Sequence, residues 1–298
     1  MSGPYVPATE DRNPRSANLD LLPTRRVLEI LSDEDRSVAV AVSRVLDEVG
    51  MAVEHAVGAL ERGGRLLYLG AGSSGRIAAM DAAEIPPTFG LAPERVVAVI
   101  AGGPVALMEA VEGAEDDALE AVALMRDFAV GPSDCVVGVT ASGTTRFVLG
   151  GLGEARERGS STVLLTCGAR PAPGLWHVVI AVDTGPEVVT GSTRLKAGTA
   201  AKFVLNMIST AAMVRLGKVY DNLMVDVRAT NEKLRRRAAR IIEATTGVPP
   251  ARAREALERC GGETKTAVVS LKRGLDPDAA RALLERHDGN LRRALEVQ

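Results

Sequence analysis

Residues 65–90 read RLLYLGAGSSGRIAAMDAAEIPPTFG. Positions 65–69 form a short β-prone run that leads into Gly70-Ala-Gly72-Ser-Ser-Gly75, and Arg76 then opens an apolar run of helical character. Strand, glycine turn and helix start, in that order, bring several backbone N–H groups and the positive end of a helix dipole to one point. Such a point favours an anion.

The spacing of Gly70, Gly72 and Gly75 also satisfies the dinucleotide fingerprint G-x-G-x-x-G, which by itself is weak. A nicotinamide enzyme needs an acidic residue at the end of the next strand to hold the ribose. The next strand-like run, Arg95-Val-Val-Ala-Val-Ile100, ends instead in Ala101-Gly102-Gly103. In place of a carboxylate the glycine loop carries two hydroxyls, Ser73 and Ser74, which suit a compact phosphate held by side-chain and backbone donors together. A phosphosugar is favoured over a dinucleotide on this ground. A glycine turn that only packs helix on strand is the alternative.

At 298 residues the chain has room for one large α/β domain and a small accessory one. Hydrophobic residues make up 46% but aromatic ones only 3%, so Ala, Val and Leu must build the core. A formal charge of −2 argues against a general nucleic-acid binder. No run approaches the roughly 18 apolar residues of a membrane span. The first residues lack the basic start and apolar centre of a signal peptide, so a soluble, cytoplasmic protein with no membrane partner is expected. Cys135, Cys167 and Cys260 are odd in number and well separated, which speaks against a disulfide framework. Cys135 and Cys167 fall in strand-like runs, where a thiol acts as a small buried apolar group. His55, His177 and His287 lie far apart, without C-x-x-C or H-x-x-x-H spacing, and offer little for a metal site.

Residues 1–22 read as a polar arm without a core of its own, an element that is usually floppy. Residues 23–64 read as N-terminal helices: a short one from Thr24, then a long one reaching about Arg62. Ser32, followed by Asp33, Glu34 and Asp35, suits an N-cap for the second. A helix of that length is expected to pack across the sheet domain or a partner subunit. Strand-like runs at 65–69, 96–100, 134–140, 161–166 and 178–182 alternate with helical segments at 75–83, 104–127 and 144–158. This pattern predicts an α/β fold with a five-stranded parallel sheet flanked by helices and ligands at the carboxyl ends of the strands.

Three loops at such ends carry hydroxyl clusters: Ser73-Ser74, Thr140-Ala-Ser142-Gly-Thr-Thr145, and Thr190-Gly-Ser192-Thr193. One such loop is ordinary turn chemistry; three at one end of a sheet point to a single oxygen-rich ligand. A long helix is expected from Ser192 to a glycine cap at Gly217. The basic run Lys233-Leu-Arg-Arg-Arg-Ala-Ala-Arg240 reads as a solvated face rather than a nucleic-acid site. After Gly247-Val-Pro-Pro250 the pattern changes to short amphipathic helices at 251–259, 263–273, 276–285 and 290–296, which make a small helical domain over 247–298 with nothing catalytic in it.

The strings GAGSSGRIAAMDAAEIPPTFG (70–90), IAGG (100–103), AVEGAEDD (110–117), ASG (141–143), TGSTRLKAGTAAKFVLNMIST (190–210) and NLMVDVRATNEKL (222–234) closely resemble the bacterial N-acetylmuramic acid 6-phosphate etherases. That likeness extends to the NPRSANLD arm and the helical tail. It implies a sugar isomerase (SIS) domain over 65–246. The implied reaction removes D-lactate from the 3-position of the sugar to give N-acetylglucosamine 6-phosphate in cell-wall amino-sugar recycling. The family works without metal or nucleotide cofactor and as a homodimer. Its two functional glutamates fall on Glu84 and Glu115. Its phosphosugar hydroxyls map to Ser73, Ser74, Ser142 and Thr145, with Ser192 and Thr193 as further candidates. Two departures stand out: Ile85 replaces the family's usual cysteine, and Thr144-Thr145-Arg146 replaces its usual Arg-Thr-Pro.

The implied chemistry asks for two proton-transferring groups. In the ring-opened sugar the C1 aldehyde acidifies the proton on C2. Elimination of the C3 ether then needs a base at C2 and an acid at the ether oxygen, and two carboxyl groups in one pocket can be held in different protonation states. The resemblance makes Glu84 the acid and Glu115 the base. From the residues alone both have plainer readings: Glu84 precedes Pro86-Pro87, where the helix is expected to end, and Glu115 stands with Glu112, Asp116 and Asp117 as an acidic cap. A regular helix over 75–83 advances roughly 13 Å and carries Glu84 away from the glycine loop, so either that helix bends back or Glu84 serves a pocket shared with a second subunit, and the dimers that the resemblance implies favour the second. A non-catalytic phosphosugar sensor is the alternative, and it has no need of both glutamates; an aldose–ketose isomerase would release no lactate.

Overall fold

Burial on both faces selects the five strands. β1 (Leu66–Gly70), β2 (Val96–Ile100), β3 (Cys135–Thr140), β4 (Ser161–Thr166) and β5 (Val178–Ala181) pair in parallel in the order β2-β1-β3-β4-β5. In this computed structural model residues 8–168, 174, 176–227 and 232–296 are described. Each strand lies within one residue of its expected position. In β1 the residues Leu66, Leu67, Tyr68 and Leu69 are fully buried, each apolar side chain contributing about 1.5–3 kcal/mol.

The chain divides into two compact units: one holds the residues up to Ala82 and Glu94–Ser209, the other Ala83–Pro93 and the chain from Thr210 on. The boundary expected near 246 falls inside the second unit.

In the first unit, α3 (Gly72–Phe89) leads from β1 to β2 and α4 (Ala118–Asp127) from β2 back past β1 to β3. The two crossovers run in opposite directions, so right-handed connection puts their helices on opposite faces. Alternate residues of β1 record this. Leu67 and Leu69 pack with Ala121 and Met125 of α4 and with Phe147, Val148 and Leu152 of α5 (Arg146–Glu157). Tyr68 points the other way, and its hydroxyl donates to Asp81 of α3 at 2.8 Å. Asp81 is itself buried, and it also accepts from Asn206 Nδ2 at 2.6 Å and Ser209 Oγ at 3.1 Å on α6 (Lys196–Arg215). A buried carboxylate is tolerable only with such partners. Burial, and then Asp81, hold the Tyr68 phenol well above its usual pKa, so it remains a donor.

The approach of α3 to β1 explains two of the three glycines in the motif. A Cβ on Gly75 would stand 2.6 Å from Ile100 Cγ1 and 2.9 Å from Gly70 O, and one on Gly70 would stand 2.8 Å from Gly75 N. Gly72 has open space around it but a φ of +51°, which other residues adopt at a cost.

The N-terminal segments depart from expectation. Ser32 is not a cap: α1 (Thr24–Ser43) runs through it, ends in i→i−3 bonds at Arg44 and Val45, and is followed by α2 (Leu46–Glu61), which packs against β1, β3, β4 and β5. The acidic run serves ion pairs instead. Asp33 meets Arg36 at 2.8 Å, and buried Glu34 meets Lys196 Nζ at 2.6 Å and Arg15 at 2.9 Å. The arm is docked over its described part. Asn13 Nδ2 donates to Glu34 and to Pro186 O, Ser16 Oγ to Val188 O, and Gly191 N to Thr9 O.

Three helical segments also differ. α3 does not stop before the prolines but carries Pro86 and Pro87 to Phe89, because Ile85 and Phe89, four residues apart, are both buried. The prolines remove the donors for Ala82 O and Ala83 O. Of the segment 104–127 only 118–127 is α-helical; 3-10 turns at Pro104–Leu107 and Ala114–Asp116 precede it, between glycines of positive φ at 102, 103 and 113. α6 begins at Lys196, not Ser192, and ends before Gly217, whose φ is +68°. By length and composition α6 is also the one helix among the described residues that could cross a membrane, contrary to the expectation of none, but 56% of that window is buried in the fold. Cys135 and Cys167 are free and buried, and burial pushes both thiols up to about 12.

The second unit gathers α7 (Glu232–Thr246), α8 (Pro250–Arg259), α9 (Thr264–Arg273), α10 (Pro277–Glu285) and α11 (Leu291–Glu296) around Val225, Ile242, Leu257, Val268, Leu284 and Leu291. The last four match the expected short helices to within a residue, and α7 is a helix that the basic run did not announce. Lys233, Arg235, Arg236, Arg237 and Arg240 are exposed on α7, as a solvated face should be. The Asp226 carboxylate takes both Lys218 at 2.7 Å and Lys265 at 2.9 Å.

Two predictions follow from this packing. Gly75→Ala overfills the contact with Ile100 and Gly70 O, and should lower unfolding free energy by about 1–3 kcal/mol in urea titrations; an unchanged midpoint would refute the contact. The second concerns acid. His55 Nδ1 meets Ser161 Oγ at 3.1 Å, and His177 Nδ1 accepts from Thr162 N at 3.0 Å. Burial first, then Arg62 for His55 and Arg156 and His55 for His177, holds both imidazoles below their usual pKa. The unfolded chain therefore takes up protons first, and stability present at neutral pH is lost as pH falls through about 6.5. Thermal melts between about pH 8 and pH 5.5 should show a falling Tm whose slope flattens in a His55→Gln/His177→Gln variant; identical slopes would exclude the pair as the cause.

Candidate active site

The strand order reverses between β1 and β3, so the loops that follow these two strands face each other across a crevice at their carboxyl ends. The loop after β1 is Ala71 and the first turn of α3, with Ser73 and Ser74 half-buried. The loop after β3 holds Ala141 to Thr145 at the start of α5. The topology thus brings Ser73, Ser74, Ser142 and Thr145 to one place.

Their hydroxyls are not equivalent. Those of Ser73 and Ser74 have no intramolecular partner among the described residues, and the first-turn amides of α3 have no acceptor within the helix. Ser142 Oγ lies 2.9 Å from Thr144 Oγ1 and accepts from Thr144 N, while Thr145 Oγ1 lies 2.8 Å from Thr140 Oγ1, which accepts from Gly143 N. In each hydroxyl pair one proton is used internally and the other stays available. Thr140 is no site candidate by its sequence position alone, because its pairing with Thr145 depends on the fold of the loop.

Ser192 and Thr193 lie in the turn before α6. Gly198, whose amide donates to Thr193 O at 2.9 Å, packs on Ile77 of α3, a Cβ there standing 3.5 Å from Ile77 Cδ1. The third loop is therefore drawn towards the first turns of α3. It is also the most firmly held. Glu187, fully buried, accepts from Lys196 N at 3.0 Å and Ala197 N at 2.9 Å, so the start of α6 already has its anion.

Glu115 is exposed in the 3-10 turn Ala114–Asp116 of the β2–α4 connection, again beyond a strand's carboxyl end. The capping role belongs to its neighbour: Asp117 accepts from Glu120 N at 2.8 Å as the N-cap of α4. Arg76 ties this connection to α3, donating from Nε to Leu107 O at 3.3 Å and from Nη2 to Glu109 O at 2.6 Å. Glu84 is exposed on α3 in the stretch that belongs to the second unit. It stands twelve positions after Gly72 in the sequence of α3. Arg76 and Glu187 were not singled out from the sequence, because each acts on backbone atoms of a segment that no local pattern connects to it. The departing loop residue Arg146 is exposed at the start of α5.

Comparison with known proteins agrees with this architecture. Residues 48–156 match the model of the glucokinase regulatory protein N-terminal SIS domain, and residues 221–271 that of the C-terminal lid domain of glucokinase regulatory protein. An N-acetylmuramic acid 6-phosphate etherase from Mycolicibacterium smegmatis is 52% identical over 288 residues, covering 96% of this chain and 97% of the relative. One from Rubrobacter xylanophilus is 51% identical over 290 residues, with 96% and 95% covered. N-acetylmuramic acid 6-phosphate etherase 1 of Bacillus licheniformis is 49% identical over 297 residues, with 97% and 95% covered. With its five-stranded parallel sheet, its helical C-terminal unit and half its residues shared with these relatives along nearly the whole length, the chain belongs to the N-acetylmuramic acid 6-phosphate etherase family.

Proposed function

We propose that this chain cleaves the lactyl ether of N-acetylmuramic acid 6-phosphate as a cytoplasmic homodimer, with Glu84 and Glu115 as its proton-transferring pair. The observation that carries the reading is the 52% identity with an etherase across 96% of the chain. The crevice supports it from the side of chemistry. Hydroxyl protons of Ser73 and Ser74 and one from each hydroxyl pair in the β3–α5 loop, together with the first-turn amides of α3, suit the oxygens of a sugar phosphate. Ser192 and Thr193 extend that set.

With the sugar open at C1, Glu115 takes the proton from C2, and the C3–O bond breaks as Glu84 protonates the departing lactyl oxygen. D-lactate leaves and a 2,3-unsaturated aldehyde remains. Water then adds, hydroxide to C3 and a proton to C2, giving N-acetylglucosamine 6-phosphate. Atoms and electrons balance without an oxidant or metal. Because α3 runs on unbroken past Glu84, this carboxyl group is best used by the crevice of a second copy of the chain. Both glutamates being exposed is what such sharing requires.

A non-catalytic phosphosugar sensor has one observation in its favour, namely that the matched models are those of a regulatory protein. The etherase relatives cover 96–97% of the chain rather than parts of it, and among the described residues the exposed glutamates have no hydrogen bond or ion pair that would explain them.

The direct test is release of D-lactate from N-acetylmuramic acid 6-phosphate by the purified chain; binding of the sugar phosphate without lactate would favour the sensor. Glu84→Gln and Glu115→Gln should each lower turnover by about 10²- to 10⁴-fold while sugar-phosphate binding persists. Full activity in either variant removes that residue from the mechanism. Ser74→Ala and Ser142→Ala should raise KM, and unchanged values for both would move the phosphate elsewhere.

A further inference from the structure

The connection that carries Glu115 packs inward through Ala106 and through Ala114, which meets the apolar cluster of α4 and α5, but its hydrogen bonds from outside come from one side chain. Within residues 102–116 the backbone hydrogen bonds are local: Gly103 N to Ile100 O, Ala106 N to Gly103 O, Met108 N and Glu109 N to Val105 O, and Asp116 N to Gly113 O. Gly102, Gly103 and Gly113 have positive φ, Ala106 is the one buried side chain of the stretch, and Val105, Leu107, Met108 and Val111 are exposed, Met108 by 89%. Among the described residues, the only hydrogen bonds reaching this stretch from another part of the chain are those of Arg76 to Leu107 O and Glu109 O. Arg76 has no carboxylate partner among the described residues. It sits one turn into α3, immediately after Ser73, Ser74 and Gly75.

A guanidinium presents donors in a rigid plane and can hold two carbonyls at once, which an ammonium on a flexible stem does not reproduce. We infer that Arg76 is a positioning residue: it clamps the Glu115 connection to the first turn of α3, so that the phosphate end and the proton-transferring end of the crevice keep a fixed spacing. The inference rests on the reading of Glu115 given above. It assigns Arg76 no contact with the substrate, although a cation beside a phosphate loop invites that assumption. Both of its bonds go to backbone oxygens of the connection.

The test measures lactate release by the full chain carrying Arg76→Ala, Arg76→Lys, Glu115→Gln, or Arg76→Ala with Glu115→Gln. For Arg76→Ala, kcat should fall about 10²-fold, the scale of an ångström of misplacement, with KM little changed. Arg76→Lys should recover only a small part of the loss, and added guanidinium ion should recover more. In the Glu115→Gln background the Arg76 substitution should cost nothing further, because the two act as one unit. Amide exchange over 102–116 should quicken in Arg76→Ala while the strands keep their protection. Should Arg76→Ala fail to fold, Arg76→Lys and Arg76→Gln carry the same comparison. An unchanged kcat, a raised KM with unchanged kcat, or a full second loss on top of Glu115→Gln overturns the inference. A fully active Glu115→Gln sinks the reading of Glu115 and the clamp with it. An impaired Glu115→Gln beside an Arg76 variant of normal kcat sinks the clamp alone.

Discussion

There is no room for a carbon atom between Gly70 and Gly75. That contact lets α3 begin within two residues of the end of β1, so that its open amides stand where the strand order reverses. A bulkier pair would push the helix outward and separate the Ser73–Ser74 turn from the Ser142–Thr145 loop. Asp81 holds the same helix from beneath, through Tyr68, Asn206 and Ser209. Close approach at the first turn and a satisfied carboxylate two turns later fix the position and rotation of α3 together.

The crevice so formed offers many neutral donors, and few of its charged groups are free. Arg76 is bound to backbone oxygens, Lys196 is buried on Glu34, and Glu187 caps α6. Hydroxyls arranged in pairs can redirect their protons without moving their heavy atoms, an advantage for a ligand whose chemistry alters its oxygens while its phosphate stays in place. A carbohydrate phosphate matches such a surface better than a nucleotide, which would also want an acidic partner for its ribose.

Much of the fold was legible because doubly buried parallel strands leave continuous apolar runs, and the five runs sit where the sequence places them. The hydroxyl loops were legible for the same reason, each following a readable strand. What was hidden depends on partners far along the chain. The Ser32–Asp35 run has every local mark of a helix start, yet Glu34 is committed to Lys196, 162 positions away, and no local pattern announces that. The prolines at 86 and 87 argued for an early stop, but burial of Ile85 and Phe89 outweighs the lost donors. The stretch 104–113 has helical apolar content that the fold leaves exposed. As for Glu84 and Glu115, nothing in their local chemistry distinguishes them; they were singled out by resemblance to a family, and their exposure in the single chain shows why spacing alone could not.

Two long helices begin at this rim of the sheet, and only one of them is vacant. The buried carboxylate of Glu187 neutralises the start of α6 from inside the molecule, while α3 faces the crevice with its amides unused. A doubly charged group arriving from solvent therefore meets an asymmetric field, attractive on one side and already quenched on the other. The start of α3 is thus the end left with donors for an incoming anion, and Glu187 has removed its competitor from within the fold.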